Sequence, residues 1–187
     1  MAARSGGSGF GKFLIGLILG LLIIPSAAYL YFRFGAPPVA VADKPFPFEK
    51  QIVHIPLNAR IGREAPADSP FGASEDAFEG GANVYRQNCA ACHGTPGHDV
   101  PYAKFMYPSA PQLWKAHKKH GTGPQVTGVS DDPVGKTYWT VANGIRLSGM
   151  PAFNTALTDT EIWQVSILLK NADQPLPDPV TKLLTGK

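Results

Sequence analysis

The chain has 187 residues, only 17% of them charged, with 18 prolines and 20 glycines. That allows one modest, loop-rich domain with extensions and short helices. All 14 acidic residues and all but three of the 17 basic ones lie beyond Phe34. The bulk of the chain is therefore neutral and lacks the basic field that nucleic-acid binding requires.

Residues 1–12 carry Arg4 and Lys12 and no acid. The next segment, Phe13–Phe32, runs about twenty residues without a charge, enough at ~1.5 Å per residue to cross a ~30 Å hydrocarbon layer. Arg4 and Lys12 on one side, against Arg33 alone on the other, predict a cytoplasmic N-terminus. Everything beyond Phe34 then lies on the periplasmic, extracytoplasmic side. Ser26 and Ala28 have the small side chains and the spacing of a cleaved leader's end. The apolar run continuing through Tyr29–Phe32 favours a retained single-pass anchor, and both readings export the remainder. In 33–74, Pro37, Pro38, Pro45, Pro47, Pro56, Pro66 and Pro70 break any long helix. This segment is predicted to be an extended, semi-rigid tether. Within it, Ile52–Leu57 is apolar enough to dock on the domain that follows, and His54 reads as a surface histidine.

The folded domain is expected over 75–175. Ala77, Phe78, Gly81, Val84, Tyr85, Asn88 and Cys89 recur at helical spacing and predict an amphipathic helix over Glu75–Ala91. Gly81 costs that helix about 1 kcal/mol relative to Ala, and such a glycine marks a close helix crossing. The helix ends in Cys89-Ala90-Ala91-Cys92-His93, which holds both cysteines of the chain. A disulfide between them would close a tiny loop and remove little unfolded-state entropy. A thioredoxin-type dithiol needs a βαβ setting that is absent here. A zinc site would have to recruit His117 and His120, whose spacing is poor for zinc. Covalent attachment of haem uses all three residues. Cys89 and Cys92 share one helix face and would bond the porphyrin, and His93 would be carried under the iron as its proximal ligand. A domain of about a hundred residues with long loops buries little apolar surface by itself. A large apolar cofactor would fill its centre.

Residues 94–132 show no sustained period and are predicted to be loop, with one short helix around Gln112–Lys119. A ligating imidazole donates its second N–H to a carbonyl or carboxylate. Pro111 offers a carbonyl at a suitable remove, and Pro108 is the near alternative. Lys104, Lys115, Lys118 and Lys119, with His117 and His120, form a basic cluster. It reads either as a solvated face or as steering toward an acidic partner. Lys136–Asn143 is predicted helical, ended by Gly144. Met150 follows in a loop between Gly149 and Pro151, off any helical stripe, where its thioether could meet the distal face of the iron. Met106 competes, but its segment is expected to lead the chain around the proximal side. His98, His117 and His120 are alternative ligands that read as surface histidines. Thr158 and Glu161 form a capping box for a last helix containing Ile162, Trp163, Val165 and Leu169. Residues 176–187 are expected to be a tail.

Gly81, Tyr85, the Cys-X-X-Cys-His run, Pro111-Gln112-Leu113, Met150-Pro151 and the C-terminal helix together resemble a class I c-type cytochrome of the bacterial membrane-anchored monohaem kind. The resemblance spans roughly Glu75 to Ala172. It implies an all-α cytochrome c fold, three to four short helices and long loops around one covalent haem c, preceded by one transmembrane helix. In that family a glycine and an aromatic at the places of Gly81 and Tyr85 let the first helix cross the last, where Trp163 matches another aromatic. The family's Pro-X-Leu matches Pro111 as carbonyl partner of the proximal His93, and its distal methionine matches Met150. The insertion Lys115–Gly135 departs from smaller members. The function implied is outer-sphere, single-electron transfer with no catalysis of its own. The partners implied are redox proteins: a quinol-oxidising complex and a terminal oxidase or dehydrogenase. The alternatives are a haem subunit fixed in a multi-subunit dehydrogenase or oxidase, and a sensor or enzyme in which Met150 is displaced.

Overall fold

The structure, a computed structural model, describes residues 8–118, 125–127 and 129–186. The chain divides into two compact units, residues 1–46 and 47–187.

The first unit is dominated by α1 (Ser8–Phe34), which is long and apolar enough to cross a membrane. Pro25 lies inside it, and membrane-spanning helices tolerate such a proline. After α1 the chain turns. The Asp43 carboxylate accepts from the backbone N–H groups of Val39 and Ala40 at 2.9 and 2.8 Å. Further on, the Phe46 ring packs 6.4 Å from that of Tyr31.

The second unit is helical, with one small pair of strands. Its helices are α2 (Glu49–Glu64), α3 (Glu75–Asn88), α4 (Ala90–His93), α5 (Val134–Asn143), α6 (Asp159–Lys170) and α7 (Asp178–Thr185). A 3-10 turn occupies Pro101–Phe105. In the insertion, β1 (Ala116–Lys118) pairs antiparallel with β2 (Gln125–Thr127) in the register His117 to Val126. Among the described residues, 112–118 therefore hold no helix where one was expected around Gln112–Lys119, and the helical turn falls earlier, where Pro101 presets the first dihedral.

The central packing is α3 across α6. A methyl group on Gly81 would lie 2.4 Å from the Gln164 backbone oxygen and 3.0 Å from the Leu168 Cβ. Only a bare backbone permits that approach, which is what the glycine in the predicted helix signals. Ala82, Tyr85, Ile162, Val165 and Leu168 are fully buried around the crossing. Ser74 caps α3, accepting from the Ala77 N–H at 3.2 Å. The expected capping box of α6 is formed in both directions by Thr158 and Glu161.

Two boundaries are corrected. The proline-rich segment is not extended throughout, because Glu49–Glu64 forms α2 with Pro56 inside it. One proline deletes one hydrogen bond from a helix, and packing at the far end compensates. That packing consists of buried Ile61, the Glu64 carboxylate accepting from the Trp139 indole at 3.0 Å, and Arg60 over the Trp139 ring. Ile52, Val53 and Ile55, expected to dock, are exposed. The tail is likewise not a tail. α7 buries Val180 and Leu184 against α3. The Arg86 guanidinium donates to the Leu183 and Leu184 carbonyls at 3.0 and 3.2 Å, a cation at the negative end of a helix.

Candidate functional site

Tyr85 sets the position of the motif. Its ring is fully buried, and its hydroxyl donates to the Gly94 carbonyl at 2.8 Å. Burial raises its pKa, so it remains a neutral donor. Cys89 joins α3 to α4: its N–H donates to Tyr85 O at 2.8 Å, and its own carbonyl accepts from Cys92 and His93 at 3.1 and 2.9 Å. That single turn brings Cys89, Cys92 and His93 together.

The two cysteines stand as separate thiols. Burial, then the neighbouring Cys92, pushes the Cys89 thiol up to about 12. Redox dithiols and metal thiolates require the opposite shift. The His93 Nδ1 lies 2.8 Å from the Pro111 carbonyl. A carbonyl only accepts, so Nδ1 carries the proton and Nε2 presents its lone pair. Of the two prolines considered, Pro111 is the one at His93. The same strand of chain is fixed by the Leu113 N–H donating to His93 O at 3.1 Å.

Gln112 was not anticipated in this role. Its side-chain amide donates to the Cys92 carbonyl at 3.0 Å, and its oxygen accepts from the Val100 N–H at 2.6 Å. It thus clamps the loop that returns from the motif. Gly94, at φ 75°, lets that loop approach, since a methyl group there would meet His98 O at 2.6 Å and Gln112 Oε1 at 2.8 Å. The Tyr102 hydroxyl donates to the Ala91 carbonyl. Trp114 packs edge-on to Tyr85 with ring centres 5.6 Å apart. Its buried N–H completes no hydrogen bond, yet it faces the Tyr85 hydroxyl closely enough to oppose the rise in that pKa.

Met150 is half-buried and packs on the same buried cluster as Cys89 and Trp114. Its backbone is held at both ends, with N–H donating to Ser148 Oγ at 3.1 Å and O accepting from Ile145 at 3.2 Å. The glycine that permits close approach here is Gly144, at φ 64°, where a methyl group would strike Met150 O at 2.7 Å and Pro151 at 2.6 Å. Gly149 instead faces the Met106 methyl, 2.7 Å from where its own Cβ would be. Met106 therefore reaches the Met150 loop, and the chain path does not separate the two methionines in space. What distinguishes Met150 is a backbone pinned on both sides.

His98 is exposed. His117 lies in β1, and Lys119 and His120 lie outside the described residues. Of the basic cluster, Lys115 pairs with Asp99 at 3.2 Å and Lys104 sits 5.0 Å over the Phe105 ring.

These residues fit haem c: two thiols one helical turn apart, an imidazole whose Nδ1 is held by a carbonyl, and apolar packing around them. Fold and site together define a class I c-type cytochrome domain, one that carries covalently bound haem c and transfers electrons. Within that class, residues 76–167 match the family model described as Cytochrome C oxidase, cbb3-type, subunit III. No curated protein and no solved structure matches the chain.

Proposed function

We propose that this protein is a membrane-anchored monohaem cytochrome that passes single electrons between a quinol-oxidising complex and a terminal acceptor. The haem domain then lies on the extracytoplasmic side. The single observation that carries the reading is the 2.8 Å contact from His93 Nδ1 to Pro111 O, because it gives the imidazole one fixed tautomer and one orientation. When bound, haem c supplies a one-electron Fe(III)/Fe(II) couple. Cys89 and Cys92 would hold it through thioethers, His93 would ligate the iron proximally, and Met150 would ligate it distally through a soft sulfur that favours the reduced metal. With His93 and Met150 both on the iron, no position would be left for a substrate.

The test is optical. The α-band of a c-type haem should survive acid–acetone extraction, and the far-red band of an iron–thioether bond should vanish in Met150→Ala and persist in Met106→Ala. The reverse outcome would move the distal ligand to Met106.

A second reading is supported by the family description, which names an oxidase subunit. The chain would then be fixed in a terminal oxidase rather than free to shuttle. Co-purification in constant stoichiometry after detergent extraction supports the fixed subunit, and a monodisperse haem protein by itself supports the shuttle.

A further inference from the structure

The first half of α2 presents a surface that the electron-transfer reading does not use. Phe48, Ile52, Val53 and Ile55 are 72, 61, 52 and 69% exposed. Single exposed apolar residues are ordinary, but four large ones within two helical turns mark an interaction surface. The two halves of α2 differ. The second half spends Ile61, Glu64 and Arg60 on α5 and Trp139. In the first half, the Tyr107 hydroxyl donates to Glu49. Pro56 divides the two, having no N–H for the Ile52 carbonyl.

The course of the chain indicates the occupant. Tyr31 lies near the end of the apolar helix α1, the level at which aromatic rings meet the membrane–water boundary. Phe46 packs on Tyr31, so the chain that leaves α1 comes back to that level. α2 begins three residues later, a reach of at most ~11 Å at ~3.6 Å per residue. A bilayer surface is therefore within reach of this helix whatever protein partners are present. Lys44 precedes the apolar group and Lys50 lies within it, both exposed, and their stems can lie on apolar surface with the amines among the headgroups.

We propose that Phe48 and the first half of α2 lie in the interface of the membrane that α1 enters, with Ile52, Val53 and Ile55 in the headgroup–acyl boundary. This rests on the reading of α1 as a retained anchor. The helix would then fix the height and tilt of the domain above the bilayer, replacing a free tether with a hinge at 35–45.

The experiment is spin-label depth measurement on the full-length haem protein, reduced and reconstituted in bilayers. Single labels go at Ile52→Cys, Ile55→Cys, Arg63→Cys and Ile23→Cys. Ile52 and Ile55 should be several-fold more accessible to oxygen, and less to a water-soluble nickel complex, than Arg63. If they match Arg63 in nickel accessibility while Ile23 remains oxygen-accessible, the interfacial helix is wrong and the anchor stands. If Ile23 itself is nickel-accessible, the anchor fails and the proposal with it. Shielding of Ile52 and Ile55 from both probes would mean that protein, a partner or a second copy, covers the face, and would also overturn it. Should one labelled variant fail to mature, Phe48→Cys gives the same comparison.

Discussion

The Tyr85 hydroxyl is the smallest part on which the site depends. It is a fully buried donor whose acceptor, Gly94 O, follows directly on His93. Tyr85→Phe removes the donor, fills the same volume and leaves a carbonyl unpaired, which costs about 1–3 kcal/mol. Urea unfolding of the haem protein should show that loss with the α-band unchanged; an unchanged midpoint would mean the carbonyl finds water instead. The closeness of Cys89, Cys92 and His93 was legible from spacing alone, since one helical turn brings them together. Pro111 was legible only as one of two prolines, because the sequence shows that a carbonyl is needed and not which one arrives. Gln112 was not legible. Its two bonds join Cys92 to Val100, and nothing in a single glutamine shows that a loop will come back to meet it. The approach of Met106 to Gly149 was not legible either, because the return of its segment is set by the fold of the intervening loop.

Helices announce themselves through period and caps, and where those signals are strong the reading held: α3, α5 and α6 fall where their apolar spacing and the Thr158–Glu161 box place them. α2 was hidden because Pro56 counts as a breaker and its stabilising contact, Glu64 with Trp139, spans most of the domain. α7 carries a local signal, Pro179 at its start and Val180 and Leu184 four apart, which the preceding prolines mask. Neighbouring glycines on α3 test the crossing. In Gly81→Ala the new methyl meets Gln164 backbone, which cannot yield, so overpacking of about 1–3 kcal/mol should outweigh the ~1 kcal/mol of helix propensity regained. In Gly80→Ala it meets only the end of the Gln164 side chain, which can swing away. The gain of about 1 kcal/mol in helix propensity then roughly offsets the disturbance. Equal losses in the two variants, by denaturant midpoint, would refute the backbone contact. The α2–α5 junction is pH-dependent. The Trp139 hydrogen bond, then Arg60, holds the Glu64 carboxyl below its ordinary value of 4.5. A depressed folded pKa stabilises above the ordinary value and is lost as pH falls through the folded one. Hydrogen-exchange protection of α2 should therefore be flat above pH 4.5 and fall below it, and Glu64→Gln should flatten that dependence.

At the scale of the molecule, the distribution of charge decides how a partner is met. Beyond Phe34 all 14 acidic residues face an equal complement of basic ones, and Lys115 of the basic cluster is already paired with Asp99. Long-range attraction needs an unbalanced field, and where it operates association falls steeply with ionic strength. A domain held to the membrane has another route, since confinement with its partner raises the effective concentration without any charge. The two routes differ in their response to salt. On the proposed function, the rate at which a quinol-oxidising complex reduces this cytochrome in native membranes should change little as ionic strength rises from well below physiological to well above it. A steep fall would show that the basic cluster governs the encounter after all, and Lys104→Glu would then slow it further at low salt. A flat response that persists in Lys104→Glu would leave tethering as the source of the encounter rate and make the geometry of α1 and α2 the determinant of which partners the haem edge can reach.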